Sequence, residues 1–346
     1  MKNKRFQMER SKNSSWKLVG VRLSISLALI ALLIFIVDIS SMKQALLSIN
    51  ISSVFFIISV CFIQMILAGL RWFLIGRMTG PFLSAAHIFQ INFGAMFSNQ
   101  ILPTSIGGDL IRIELSRQRG LSVGRATRTV ILDRTTGLAS LMLLLLSTGF
   151  IMRELLPPTW PIATFQLLAA IFVAGSLIII YYGADIEKRF SRFIRYNWLR
   201  QLFVEANLLG REGFITAYAI LISLIIHGLG ALCLWYLTLA IGVQADYFTM
   251  LGILPIISLV QLVPVSIAGW GVREGAVVTL FTILGIEPSL GLLVSLIWGG
   301  AIAISALLSG AIWIFGKYLI PLKQTKILKS YETHFFDDIL ESGMPD

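Results

Sequence analysis

The chain is written as long apolar runs separated by short polar ones. Runs at 18 to 37, 51 to 70, 126 to 150, 161 to 182, 214 to 240 and 288 to 316 are each long enough for a helix to cross a bilayer, which takes about 20 residues. Six spanning helices are therefore expected. The first run follows a basic stretch, MKNKRFQMERSKNSSWK, in the layout of a signal peptide. It is long enough to span, and no small-residue cleavage site follows it before Asp38, so it is read as a retained helix.

Two other stretches, 85 to 120 and 247 to 286, are apolar at both ends but carry Pro, Ser and Gly in the middle, followed by Arg. Such a break strips a lipid-facing helix of backbone hydrogen bonds and is tolerated only where protein or water covers it. A re-entrant helical hairpin satisfies that condition in each case. The two breaks also share a phrase: QILPTSIGGDLIRIE at 100 to 114 and QLVPVSIAGWGVREG at 261 to 275 repeat Gln, Pro, Ser, Ile, Gly and Arg at the same places. Pro103 and Pro264 break the incoming helix, Ser105 and Ser266 suit the N-cap of the outgoing one, and Gly108 and Gly269 allow close approach to the backbone. A helix starting inside the membrane points its N–H groups and positive dipole end at a phosphate or carboxylate. Arg112, about 10 Å along the first such helix at the usual rise, and its counterpart Arg273 either face a ligand in a wet cavity, reach to the interface, or pair with Asp109 and Glu274.

Composition places this pattern in a bilayer: of 346 residues, 56% are hydrophobic and only 13% charged, too little polar surface for a soluble globule. The net charge of +10 lies in blocks between apolar runs, which reads as membrane orientation and excludes nucleic acid as the partner. With a cytoplasmic N-terminus, Arg71 and Arg77 follow the second helix on the inside, and a hairpin that enters and returns keeps Arg117, Arg119, Arg125 and Arg128 there. The loop from Arg153 to Trp160 is then external and the basic loop 183 to 213 internal; the second hairpin enters from outside, and the tail with Lys317 and Lys323 returns inside.

The expected fold is thus an all-α polytopic membrane helix bundle with two inverted repeats, each containing a re-entrant helical hairpin. The divisions are a basic cytoplasmic N-terminus at 1–17, a first membrane repeat at 18–150, a second at 151–316 with the cytoplasmic loop 183–213, and a cytoplasmic tail at 317–346. Within the loop, Ile186, Phe190, Phe193, Ile194 and Trp198 recur at helical spacing among Lys188, Arg189, Arg192 and Arg195, as in a helix lying on anionic lipid or in an ordinary basic connection. Asp133 and Arg134 are adjacent and so point to different sides of their helix, Asp133 towards Arg112 and Arg134 towards a cavity or the surface; charge pairing and ligand contact both remain open. Cys61, Cys233, His87 and His227 lack metal-ligand spacing, and GWGVREG misses the GxGxxG pattern, so neither a metal nor a cofactor is expected.

The segments NQILPTSIGGDLIR, ILDRTTG and PVSIAGWGVREGA resemble, in order, the three signature blocks of the lysylphosphatidylglycerol synthase transmembrane-region family, whose polytopic domain is associated with moving lipids between leaflets. The resemblance runs from the second helix to the last. It implies that Asn99, Pro103, Gly108, Asp109, Arg112, Asp133, Arg134 and Glu274 match the family's polar motif residues. The late turn here is poorer in Pro and Gly than the family's, and Trp298 or Gly299 stands where an Arg is common. About thirty residues follow Tyr318, too few for the attached synthase domain of the best-known members.

The expected function is accordingly a lipid translocator that moves an anionic or aminoacylated phospholipid, or a lipid-linked head group, across the cytoplasmic membrane, with a separate lipid-modifying enzyme as a further partner. Its candidate substrate-binding residues are Asn99, Ser105, Gly108, Asp109, Arg112, Asp133, Arg134, Ser266, Gly269, Arg273 and Glu274. Alternatives are a secondary transporter of a small anion and a membrane transferase acting on a lipid-linked substrate, although no catalytic constellation emerges.

Overall fold

The computed structural model describes residues 20–35, 37–80, 82–102, 107–190, 196–263 and 265–319. It is all-helical: α1 (Gly20–Phe35), α2 (Ile39–Ser48), α3 (Ile51–Met78), α4 (Ala85–Ile101), α5 (Gly107–Gln118), α6 (Val123–Leu155), α7 (Ile162–Phe190), α8 (Asn197–Arg211), α9 (Gly213–Ala240), α10 (Tyr247–Gln261), α11 (Val272–Ile283) and α12 (Pro288–Leu319). Five of these, α3, α6, α7, α9 and α12, are long and apolar enough to cross a membrane. The first expected span is instead a bent pair: α1 and α2 meet at 94°, and Asp38 starts α2 by accepting the Ser40 N–H at 2.9 Å. The N-terminus at 1–17, most of the tail, Pro103, Ser105, Pro264, Arg192, Phe193, Ile194 and Arg195 lie outside the described residues.

Apart from α1, α2 and α8, four helices are too short to span. At the usual rise α4 is about 26 Å long, α10 about 22 Å, and α5 and α11 about 18 Å each, against about 30 Å of hydrocarbon. They form two packed pairs, α4 with α5 and α10 with α11, at the two places where the shared phrase breaks the pattern. Both long helices take part in holding them: α12 packs on α4 and α11, and α6 on α5 and α10. Between them α3 lies against α9. Glycine makes these approaches close, since a Cβ at Gly94 or Gly310 would collide with Trp313 or Phe97 across the α4–α12 seam, and one at Gly252 with Met152 across α10–α6. The main apolar core, including Ile57, Leu145, Leu234, Leu237, Ile257 and Phe281, fills the space among α3, α6, α9, α10 and α11. Outward, the long helices present Phe55, Phe150, Leu167, Ile171 and Phe315 uncovered, a surface suited to hydrocarbon.

The described residues of the basic region 183 to 213 are mostly helical. Helix α7 continues to Phe190, and α8 folds back along it so closely that a Cβ at Gly183 would lie 2.5 Å from the Phe203 carbonyl and one at Gly210 2.5 Å from that of Ile180. Asn207 Nδ2 donates to the carbonyls of Ile180 at 3.0 Å and Tyr181 at 2.8 Å. An amphipathic helix runs over Asn197–Arg211 and buries Val204, Ala206 and Leu209, while the helical spacing expected at 186 to 198 runs across residues outside the described ones. Two of its charges are paired: Glu205 takes Arg128 in a buried pair, and the partly exposed Arg200 takes Glu187 of α7.

Candidate functional site

Arginine chemistry organises the first hairpin. Arg71 sits inside α3, which runs on to Met78, and so is buried within the bundle instead of following the helix as the charge pattern suggested. Its Nε donates to Asp133 Oδ1 at 2.7 Å, while Arg112 Nη1 donates to Asp133 Oδ2 at 2.9 Å. Arg112 Nη2 donates to Asn92 Oδ1 at 2.6 Å, and its guanidinium lies 4.9 Å from the centre of the Trp72 ring. Arg71 Nη1 reaches Ser223 Oγ at 3.0 Å. One carboxylate on α6 thus gathers α3, α4, α5 and α9. Two guanidiniums share that single carboxylate, leaving the buried cluster with one positive charge in surplus, and Arg112 Nε has no hydrogen-bond partner among the described residues. Burying charge so deeply is expensive unless geometry and hydrogen bonds are good, and an unbalanced charge marks a place where an anion is favoured.

A second rung joins α5 to α6 with the polarity reversed. Arg134 grips Asp109 through Nε and Nη2 at 2.8 to 3.1 Å, and its side chain is half exposed where Asp133 is fully covered. Arg112 therefore answers Asp133 as the sequence suggested, and Asp109 answers Arg134 instead of Arg112. At the start of α5 the Gly108 N–H is already occupied, donating to Asn99 Oδ1 at 2.7 Å. A Cβ at Gly108 would fall 2.4 Å from that oxygen, so glycine is what lets the α4 amide reach the helix start.

The second hairpin is built locally. Arg273 donates to the neighbouring Glu274 Oε1 through Nε at 3.0 Å and Nη2 at 2.5 Å, Ser295 Oγ to the same oxygen at 3.3 Å, and the Gly271 N–H to Glu274 Oε2 at 2.6 Å. The guanidinium lies 4.8 Å from the Trp270 ring centre and 5.9 Å from that of Trp298. Ser266 is not the N-cap of α11. The chain turns through Ala268 (φ 50°), Gly269 (φ 81°) and Gly271 (φ 86°) before the helix begins at Val272, so Gly271 takes the cap position. Left-handed conformations delay the helix, since they cannot belong to it.

The two hairpins meet in one cleft of about 190 Å³, lined by Asn99 and Gln100 from the end of α4 and by Gln261, Val263, Ser266, Ala268 and Gly269 from the turn after α10. Asn99, Ser266 and Gly269 of the expected site are therefore together. Arg112 and Asp133 sit in the buried cluster on the first side, and Arg273 and Glu274 in the buried pair on the second. Ser105 lies outside the described residues.

The sequence model for the Lysylphosphatidylglycerol synthase TM region matches residues 21–310. The chain belongs to that family. It is also 25% identical over 253 residues to a UPF0104 membrane protein of Methanothermobacter thermautotrophicus, a match covering 65% of this chain and 72% of that protein. This family member is a multi-pass membrane protein.

A Cβ at position 299 would lie 1.8 Å from Arg273 Nη2, so Gly299 makes room for the arginine that arrives from α11. Site residues that sequence reasoning missed are Arg71, Asn92, Gln100, Ser223, Gln261 and Ser295. A lone Arg in an apolar run was the available signal for Arg71, and recurrence at the head of both phrases was the signal for Gln100 and Gln261.

Proposed function

We propose that the protein passes the anionic head group of a membrane lipid between leaflets, through the cleft where the two hairpins meet. One observation carries the reading: Gln100 and Gln261, which head the two copies of the repeated phrase, line the same cleft although they are remote in sequence. The first hairpin carries a buried cluster of two arginines on one carboxylate, whose surplus positive charge a phosphate would balance, and the second carries the single pair of Arg273 with Glu274. The matching packing, α4 and α11 on α12 and α10 and α5 on α6, supports two halves related by inversion, a plan that opens a central site alternately to either face. In this reading Arg112 leaves Asn92 to meet the phosphate while Asp133 keeps Arg71, and Arg273 plays the matching part on the far side with Glu274 as its resting partner.

The test is leaflet exchange of labelled anionic phospholipid in proteoliposomes. Arg112→Lys keeps the charge but loses the planar fork that bonds Asp133 and Asn92 together, and is expected to lower the rate about tenfold or more. Arg117→Lys, at an exposed i,i+3 pair with Glu114, serves as the control and leaves the rate unchanged. Equal rates for Arg112→Lys and the parent chain would remove the central residue. Uptake of soluble phosphate or carboxylate without lipid exchange would assign the site to a small-anion transporter.

A further inference from the structure

Resting on the reading that the cleft handles a lipid head group, we propose that it receives an uncharged, hydroxyl-bearing part of that group, so that the lipid is a phosphate ester of a polyol or sugar and not a cationic aminoacyl lipid. The cleft offers hydrogen bonds without charge. Asn99, Gln100, Gln261 and Ser266 supply amide and hydroxyl groups, and among the described residues no charged side chain lines it. Ser266 is only 4% exposed, yet its Oγ has no hydrogen-bond partner among the described residues, which is costly for a hydroxyl unless something enters to meet it. Ala268 holds the turn with φ at 50°, a conformation that an L-residue adopts at a cost and that here shapes the wall of the cleft.

The carboxylates argue the same way. A lysyl or other ammonium head group needs an acidic partner once it leaves water. Asp109 is gripped by Arg134, Asp133 by Arg71 and Arg112, and Glu274 by Arg273 and the Gly271 N–H, so each motif carboxylate is already engaged. Phosphate is balanced by the surplus positive charge of the first hairpin's arginine cluster, polyol hydroxyls find amides and a hydroxyl in the cleft, and an ammonium finds no unengaged motif carboxylate.

Binding to the full chain in detergent, followed by native mass spectrometry, tests this without requiring transport. The probes are phosphatidylglycerol, phosphatidic acid with the same acyl chains, lysylphosphatidylglycerol, and glycerol phosphate as a soluble competitor. Phosphatidylglycerol is expected to bind about tenfold tighter than phosphatidic acid, the worth of one or two hydrogen bonds, and lysylphosphatidylglycerol more weakly than phosphatidylglycerol. Gln100→Ala with Gln261→Ala should erase the preference while leaving phosphatidic acid binding intact, which also reports that the variant is folded. If that double variant does not fold, Ser266→Ala carries the test and should lower the preference about threefold. Equal binding of phosphatidylglycerol and phosphatidic acid, or tightest binding of the lysyl lipid, would overturn the inference. Hydroxyl preference without leaflet exchange would sink the transport reading and keep this one; exchange without hydroxyl preference would do the reverse. Glycerol phosphate displacing lipid at equal concentration would overturn the assignment to a lipid.

Discussion

The two hairpins begin from the same phrase and are wired differently. In the first, Arg112 is bonded to residues from two other helices, and through Asp133 and Arg71 the connection extends to α9. In the second, Arg273 turns to the next residue in the chain, and Glu274 in turn caps its own helix at Gly271. The position after each arginine explains this: Ile113 in the first copy cannot accept a proton, so the counter-charge must come from α6, whereas Glu274 supplies it on the spot. A remote counter-charge ties the first hairpin to α6, whereas the second needs from its neighbour α12 only the Ser295 hydroxyl and the Trp298 face.

Removing the two counter-charges should give the largest effects and the clearest break between the halves. Asp133→Ala strands two buried guanidiniums and is expected to cost about 3–5 kcal/mol, read as thermal unfolding in detergent micelles. Glu274→Ala strands one, and its cost should be smaller by about 1 kcal/mol or more; equal losses would erase the distinction between remote and local pairing. Next come two glycines that face arginines in corresponding ways. Gly299→Ala places a methyl 1.8 Å from Arg273 Nη2, and Gly137→Ala one 2.8 Å from Arg71 Nη1. The first is expected to cost about 1–3 kcal/mol and the second less, because the milder overlap needs a smaller shift. Gly108→Ala pushes Asn99 off the start of α5 and should cost about 1 kcal/mol. Adding Asn99→Ala should cost little more, and full additivity in the cycle would show that the two residues are not coupled. The smallest effect is at the outer rung, where Asp109→Asn should change stability by no more than about 1 kcal/mol, because Arg134 is half exposed.

Much of the architecture was legible because apolar run length is a direct physical requirement of the bilayer. The runs foretold the five long helices, and Pro, Ser and Gly within apolar stretches foretold the two short pairs. Charge was harder to read. The basic blocks were counted as loop charges, yet Arg71, Arg119, Arg125 and Arg128 are buried and bonded to Asp133, Gln90, Thr79 and Glu205. Local sequence cannot distinguish an arginine at a helix end that faces water from one that turns inward, since the difference lies in which helix packs beside it. The helix 197–211 was missed as an element for a related reason: its apolar stripe is short and interrupted, and α7 completes it.

The sequence alone determined that the chain is helical, that it belongs in a membrane, and that two remote segments carry the same break, because these follow from run length and from residues that cannot continue a helix. Only the tertiary structure decided that the end of α4 and the turn after α10 line one cleft, that Asp133 serves two arginines while Glu274 serves one, and that Gly299 leaves room for Arg273. Those facts depend on distances between helices, and a hydrogen bond or a steric overlap is set within a few tenths of an ångström by packing that no single segment encodes.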